Sequence, residues 1–121
     1  MIGLHVIFDL YDCPLDILSD RERIEEALRQ AALDGGLSLL GSVFHEFEPN
    51  GVSGALLLAE SHLCIHTWPE CGYAAADLFT CKKDTDVAAV DKRLHDCLKA
   101  GICRRYEMQR GTEVKKSGLG A

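Results

Sequence analysis

Residues 60–81, ESHLCIHTWPECGYAAADLFTC, hold the densest reactive chemistry in the chain: a serine behind a glutamate, two histidines, the single tryptophan and a closing cysteine. The Ser61 hydroxyl can attack the carbonyl carbon of Glu60, which moves the acyl group from nitrogen to oxygen and turns an amide into a weaker ester. An ester on a serine β-carbon can then break by elimination. That step removes the serine α-hydrogen near neutral pH, the range in which imidazole titrates. Plainer readings stand beside these: Ser61 as a turn serine, His66 as a satisfied strand residue, Ser53 in Gly-Val-Ser-Gly as a loop serine, Phe47 as a core aromatic. Spacing alone does not choose among Cys64, Cys71 and Cys81. His62, Cys64 and His66, at i, i+2 and i+4, share one strand face and form a rival metal set with Cys71 or Cys81 as the fourth ligand.

The elements that position these residues follow from periodicity. Leu4, Val6, Phe8 and Leu10 alternate as in a half-buried strand over 4–10. Ser19 and Glu22 form a capping box, and Ile24, Ala27, Leu28, Ala31 and Ala32 recur at helical spacing until Gly35-Gly36. Strands are predicted over 37–47, 54–59, 63–68, 73–80 and 102–110, with turns at Pro49-Asn50-Gly51 and between Pro69 and Gly72. Val87, Val90, Leu94 and Leu98 mark a second helix ending at Gly101, and the polar stretch 111–121 reads as a disordered tail. Each helix has one apolar stripe to bury. The fold class is therefore α+β, a two-layer sandwich of a mainly antiparallel sheet with both helices on one face. The apolar run ALLLA at 55–59 argues that the other face packs on a second copy, an α/β/β/α homodimer.

Composition narrows the function. At 121 residues the chain is one domain, and 47% hydrophobic with 26% charged residues is the balance of a soluble globular protein. No apolar stretch approaches the roughly 20 residues of a membrane helix. The start MIGLHVIFDLYD has no basic region or long apolar block, so a cytoplasmic location is expected, with all six cysteines reduced. A net charge of -6 argues against non-specific nucleic-acid binding and slightly favours a cationic substrate.

The central run resembles the self-processing segment of the prokaryotic S-adenosylmethionine decarboxylase proenzymes, following their ESH…IHTWPE…YAA.D.FTC pattern almost residue for residue. HVIFDLYDC and FHEFEPNGVSG are in register too, so the likeness spans about residue 3 to about residue 110. It implies autocatalytic serinolysis at Glu60-Ser61 into a β chain, 1–60, and an α chain, 61–121. The eliminated serine leaves a dehydroalanine, whose hydrolysis gives a pyruvoyl group at position 61. That group takes the place of pyridoxal phosphate, forming a Schiff base with the substrate amine and accepting electrons as carbon dioxide leaves, with no metal. The resemblance makes His66 the processing proton acceptor, assisted by Ser53, and Cys81 the proton donor. Phe47 and Trp68 match positions that stack on adenine, and Glu70 matches a carboxylate that accepts the ribose hydroxyls. The implied product is S-adenosylmethioninamine, the aminopropyl donor for spermidine. Departures are Gly3-Leu4-His5 for Gly-Arg-His, Cys71 for tyrosine or another residue, and Lys82 for glycine. Rival readings are a pyruvoyl decarboxylase of arginine or ornithine, the metal set above, and a ferredoxin-like ligand-binding domain that is never cleaved.

Overall fold

A computed structural model describes residues 1–115. The alternating apolar residues of β1 (Gly3–Tyr11) point inward, with Val6, Phe8 and Leu10 fully buried. β1 is flanked by strands from the other half of the chain. The remaining strands are β2 (Leu39–Glu46), β3 (Val52–Leu58), β4 (Ser61–Trp68), β5 (Tyr73–Thr80) and β6 (Ile102–Arg110). They form one sheet of order β2-β3-β4-β5-β1-β6, antiparallel at every pairing.

Two helices cover one face, and a third is a single turn. α1 (Leu15–Leu18) is too short for a periodicity reading to detect. Its presence corrects the capping box. The Ser19 hydroxyl donates to the Leu15 carbonyl at 2.8 Å and closes α1, while Asp20 caps α2 (Arg21–Asp34) by accepting from the backbone N–H of Glu22 and Arg23. α2 buries the expected stripe of Ile24, Ala27, Leu28, Ala31 and Ala32. α3 (Val87–Leu98) buries Val90, Leu94 and Leu98 and ends three residues before Gly101, because Lys99 turns left-handed at φ 51°. Gly35 lets the two long helices approach closely: a Cβ there would sit 2.7 Å from Val90. Truncating a fully buried leucine of this core, such as Leu28 or Leu94, costs about 2–5 kcal/mol.

The other face of the sheet is uncovered. The ALLLA run is buried on one side only: Leu56 and Leu58 face the helices, whereas Leu57 is 59% exposed. Ile7, Val43, Tyr106 and Met108 are exposed from neighbouring strands of that same face. Gly111 to Val114 makes a turn, and the rest of the expected disordered tail, from 116 on, lies outside the described residues.

Candidate active site

β3 and β4 are joined by a two-residue turn, Ala59-Glu60, across which Leu58 pairs with Ser61. Glu60 sits at φ 62°, a left-handed conformation that costs a non-glycine residue roughly 1–2 kcal/mol. Its carbonyl oxygen accepts a hydrogen bond of 2.8 Å from the backbone N–H of Cys81. A donor aimed at a carbonyl oxygen favours the negative charge that develops there when the carbon is attacked. The Ser61 side chain beside it is buried, with Oγ 3.1 Å from Thr80 Oγ1 and 3.2 Å from the Ala59 carbonyl. Ser61 and Thr80 are register partners on β4 and β5, so the end of β5 delivers Cys81 to the turn. Of the three cysteines, Cys81 adjoins the turn, whereas Cys64 lies mid-sheet, its thiol pKa pushed up by burial and then by Asp77, and Cys71 is exposed after β4. The cavity bordered by Cys81, Thr80, Thr85 and Gly3 is about 60 Å³, too small for a nucleoside.

A second cluster lies at the far end of the same hairpin. Register places Ser53 opposite His66, and the Ser53 Oγ to His66 Nδ1 distance is 2.7 Å. Both line a cleft of about 280 Å³ together with Phe47, Asn50, Trp68 and Glu70. Several local features build it. The Phe47 N–H donates to the Gly51 carbonyl at 2.8 Å, closing a tight loop in which Gly51 takes φ 109°. The Thr67 hydroxyl accepts from the Val52 N–H and donates to the Leu18 carbonyl, both at 2.9 Å, anchoring the cleft floor to α1. Trp68 stacks on Tyr73 at 5.5 Å and Tyr73 on Tyr11 at 5.4 Å, an aromatic row along the open face. The Tyr73 hydroxyl donates to Asp9, and desolvation first, then that bond, pushes its pKa up to about 12. Phe47 and Trp68 stay 47% and 45% exposed at the cleft. Asn50 Oδ1 is buried without a partner among the described residues, an acceptor that composition alone did not flag.

Five of the residues singled out from the sequence therefore meet at one end of the hairpin, and Ser61 and Cys81 sit at the other. Ser61 and His66, five residues apart on a strand, are separated by about 16 Å. They also face opposite sides: Ser61 points into the helix layer and His66 onto the open face. A base acts within about 3 Å of its proton or through one water, so within one chain His66 does not reach Ser61. The rival metal set does not assemble either. His66 Nδ1 is engaged by Ser53 and His62 Nε2 lies 3.3 Å from Asp77, the carboxylate it shares with His5. His5 Nδ1 accepts from Arg110 at 3.0 Å, so its Nε2 carries the proton donated to Asp77.

The chain matches the family model described as S-adenosylmethionine decarboxylase over residues 4–111. It is 46% identical over 110 residues to the S-adenosylmethionine decarboxylase proenzyme of Thermosipho africanus, covering 91% of this chain and 85% of that protein. It is 43% identical over 115 residues to the proenzyme of the same name from Carboxydothermus hydrogenoformans, covering 95% and 91%. The crystal structure of the adenosylmethionine decarboxylase from Aquifex aeolicus superposes with a TM-score of 0.86 at 32% identity, covering 96% of each chain. With family model, close relatives and fold in agreement over nearly the whole length, the chain belongs to the S-adenosylmethionine decarboxylase family.

Proposed function

We propose that the protein is a proenzyme that cuts itself between Glu60 and Ser61 and then decarboxylates S-adenosylmethionine in sites shared by two copies of the chain. The observation that carries the reading is the Glu60 carbonyl, held by the Cys81 N–H at a strained turn with a buried serine hydroxyl beside it. Attack by Ser61 Oγ gives an ester, and elimination frees residues 1–60 with a new carboxylate and leaves a dehydroalanine at position 61, which water converts to a pyruvoyl group with release of ammonia. When present, that carbonyl supplies the electron sink for loss of carbon dioxide.

Elimination needs a base at the Ser61 α-hydrogen, and the chain's own His66 is about 16 Å away. The half-apolar open face supports a partner. A two-fold axis lying between the two faces and running across the strands stacks the sheets and reverses strand direction, so the His66 end of one hairpin meets the Ser61 end of the other. In such a homodimer, His66 and Ser53 of one copy serve the cleavage site of the other, and the Cys81 thiol returns the proton to the substrate carbon. The adenine stacks on Phe47 and Trp68, the Glu70 carboxylate accepts the ribose hydroxyls, and the aromatic rings attract the sulfonium charge. A net charge of -6 and the absence, among the described residues, of a helix able to cross a membrane suit a cytoplasmic enzyme with a cationic substrate. Decarboxylation of arginine or ornithine finds no support: neither offers a base to stack, and the relatives named above are adenosylmethionine decarboxylases.

Mass spectrometry of purified protein tests the cut, with two chains of 60 and 61 residues expected, the second lacking a free amino terminus. Release of carbon dioxide from S-adenosylmethionine but not from arginine or ornithine tests the substrate. An active preparation containing only intact chain refutes the mechanism.

A further inference from the structure

Ser61 and Thr80 are two of the three buried polar residues among the described ones, and they are bonded to each other. Thr80 in turn sits in a directed chain of hydroxyls. Thr85 Oγ1 donates its proton to the Lys82 carbonyl at 2.7 Å, so in the 2.9 Å pair of Thr80 and Thr85 the donor is Thr80. With its proton committed outward, the Thr80 oxygen only accepts on its other side, from the Lys82 N–H and the Ser61 hydroxyl, both at 3.1 Å. Ser61 has one proton and two acceptors, Thr80 Oγ1 and the Ala59 carbonyl. The next residue along, Cys81, donates its N–H to the carbonyl under attack. Two consecutive residues at the end of β5 thus grip both reacting groups, one at the nucleophile and one at the electrophile.

From this geometry we infer that Thr80, oriented by Thr85, is a positioning residue for self-cleavage: it holds the Ser61 proton away from the Glu60 carbonyl so that an oxygen lone pair faces the carbon. The inference rests on the self-cleavage reading above. In the step it serves, a bond forms between Ser61 Oγ and the Glu60 carbonyl carbon, and the π electrons move to the oxygen held by Cys81 N–H. As that pair returns, the bond to Ser61 nitrogen breaks, and the proton that left Oγ ends on the nitrogen. Amide becomes ester plus amine, and no outside reactant is consumed. Thr80 acts on this acyl shift and not on the elimination that follows.

That assignment to one step makes the test specific. Purified uncleaved chains are followed by gel and mass spectrometry, with and without hydroxylamine, which cuts esters and spares amides. His66→Ala, blocked at elimination, accumulates ester and is cut by hydroxylamine between residues 60 and 61. Thr80→Val, of the same shape without the hydroxyl, cleaves about tenfold more slowly than wild type, the weight of one net hydrogen bond. It also resists hydroxylamine, while Thr80→Ser restores cleavage. If folded Thr80→Val is cut by hydroxylamine as fast as His66→Ala, the inference is overturned. Should Thr80→Val not fold, Thr85→Val carries the test: severalfold slower cleavage supports the chain of hydroxyls and a wild-type rate overturns it. Wild-type protein that stays intact would instead overturn the self-cleavage reading itself.

Discussion

Co-expression of two inactive variants, Ser61→Ala and His66→Ala, should produce activity that neither has alone. Each homodimer fails at both sites, the first for want of a nucleophile and the second for want of a base. In the mixed dimer, the His66→Ala copy offers an intact Ser61 and Cys81 to a partner that still has His66, Ser53, Trp68 and Glu70. The second site of that dimer carries both lesions. Equal expression and random pairing make half the dimers mixed, with one good site in two, so activity approaches about one quarter of wild type. Cleavage follows the same arithmetic and adds a direction: only chains with the His66→Ala lesion are cut, about half of them. Different tags on the two copies and release of labelled carbon dioxide read both quantities. Placing both substitutions on one chain and leaving its partner wild type gives the converse arrangement: in mixed dimers isolated through both tags, each site has one lesion and activity vanishes. Background activity in the first mixture, despite mixed dimers recovered through both tags, would refute the composite site. Within one strand, the separation of about 16 Å leaves no route for the same-chain alternative.

Three further outcomes follow from individual contacts. Leu57→Asp, which puts a charge on the open face without touching the helix-side core, should yield monomer by sedimentation and stop cleavage; a cleaved monomer would show that processing needs no partner. Cys81→Ala keeps the backbone N–H that holds the Glu60 carbonyl, so the chain should still cut itself while turnover falls at least tenfold; unaltered turnover would remove the thiol from proton return. The third concerns alkaline stability. Desolvation pushes the Cys13 thiol up to about 11, and desolvation with the Asp91 hydrogen bond pushes Cys103 up to about 12, against 9.0 for a free thiol. The folded state therefore keeps protons that the unfolded chain releases. Stability from these groups is intact below pH 9 and declines as pH rises from there to about 12. Thermal unfolding should fall across that window, and by less in a Cys13→Ala, Cys103→Ala double variant; an equal fall would remove the thiols as the cause.

The strands and long helices were readable because each has one buried face, and burial of one face imposes a period that sequence displays. α1 escaped because one turn has no period, and its serine end then looked like the start of α2. The contents of the site were legible, its assembly only in part. Density along the chain is not proximity in space, because a strand carries residues 61 and 66 to opposite faces and far apart. The pairing of Ser53 with His66, by contrast, depends on where the turn falls. Placing it at Ala59-Glu60 fixes the register for the entire hairpin. Thr80 was invisible as anything but a strand residue, since the direction of its proton depends on Thr85 and the Lys82 carbonyl.

β1 ties the two halves of the chain into one sheet. Although it belongs to the first sixty residues, it lies between β5 and β6 of the remainder. With the Glu60-Ser61 bond cut as proposed, the two polypeptides would be interleaved, and separating them would mean tearing strands from both sides of β1. Before the cut, folding is a unimolecular event whose strands are tethered; afterwards, the same architecture can be regained only by a second-order encounter. On the proposed cleavage the chain must fold first and break later, and denaturation of the cleaved protein at low concentration would be a one-way passage.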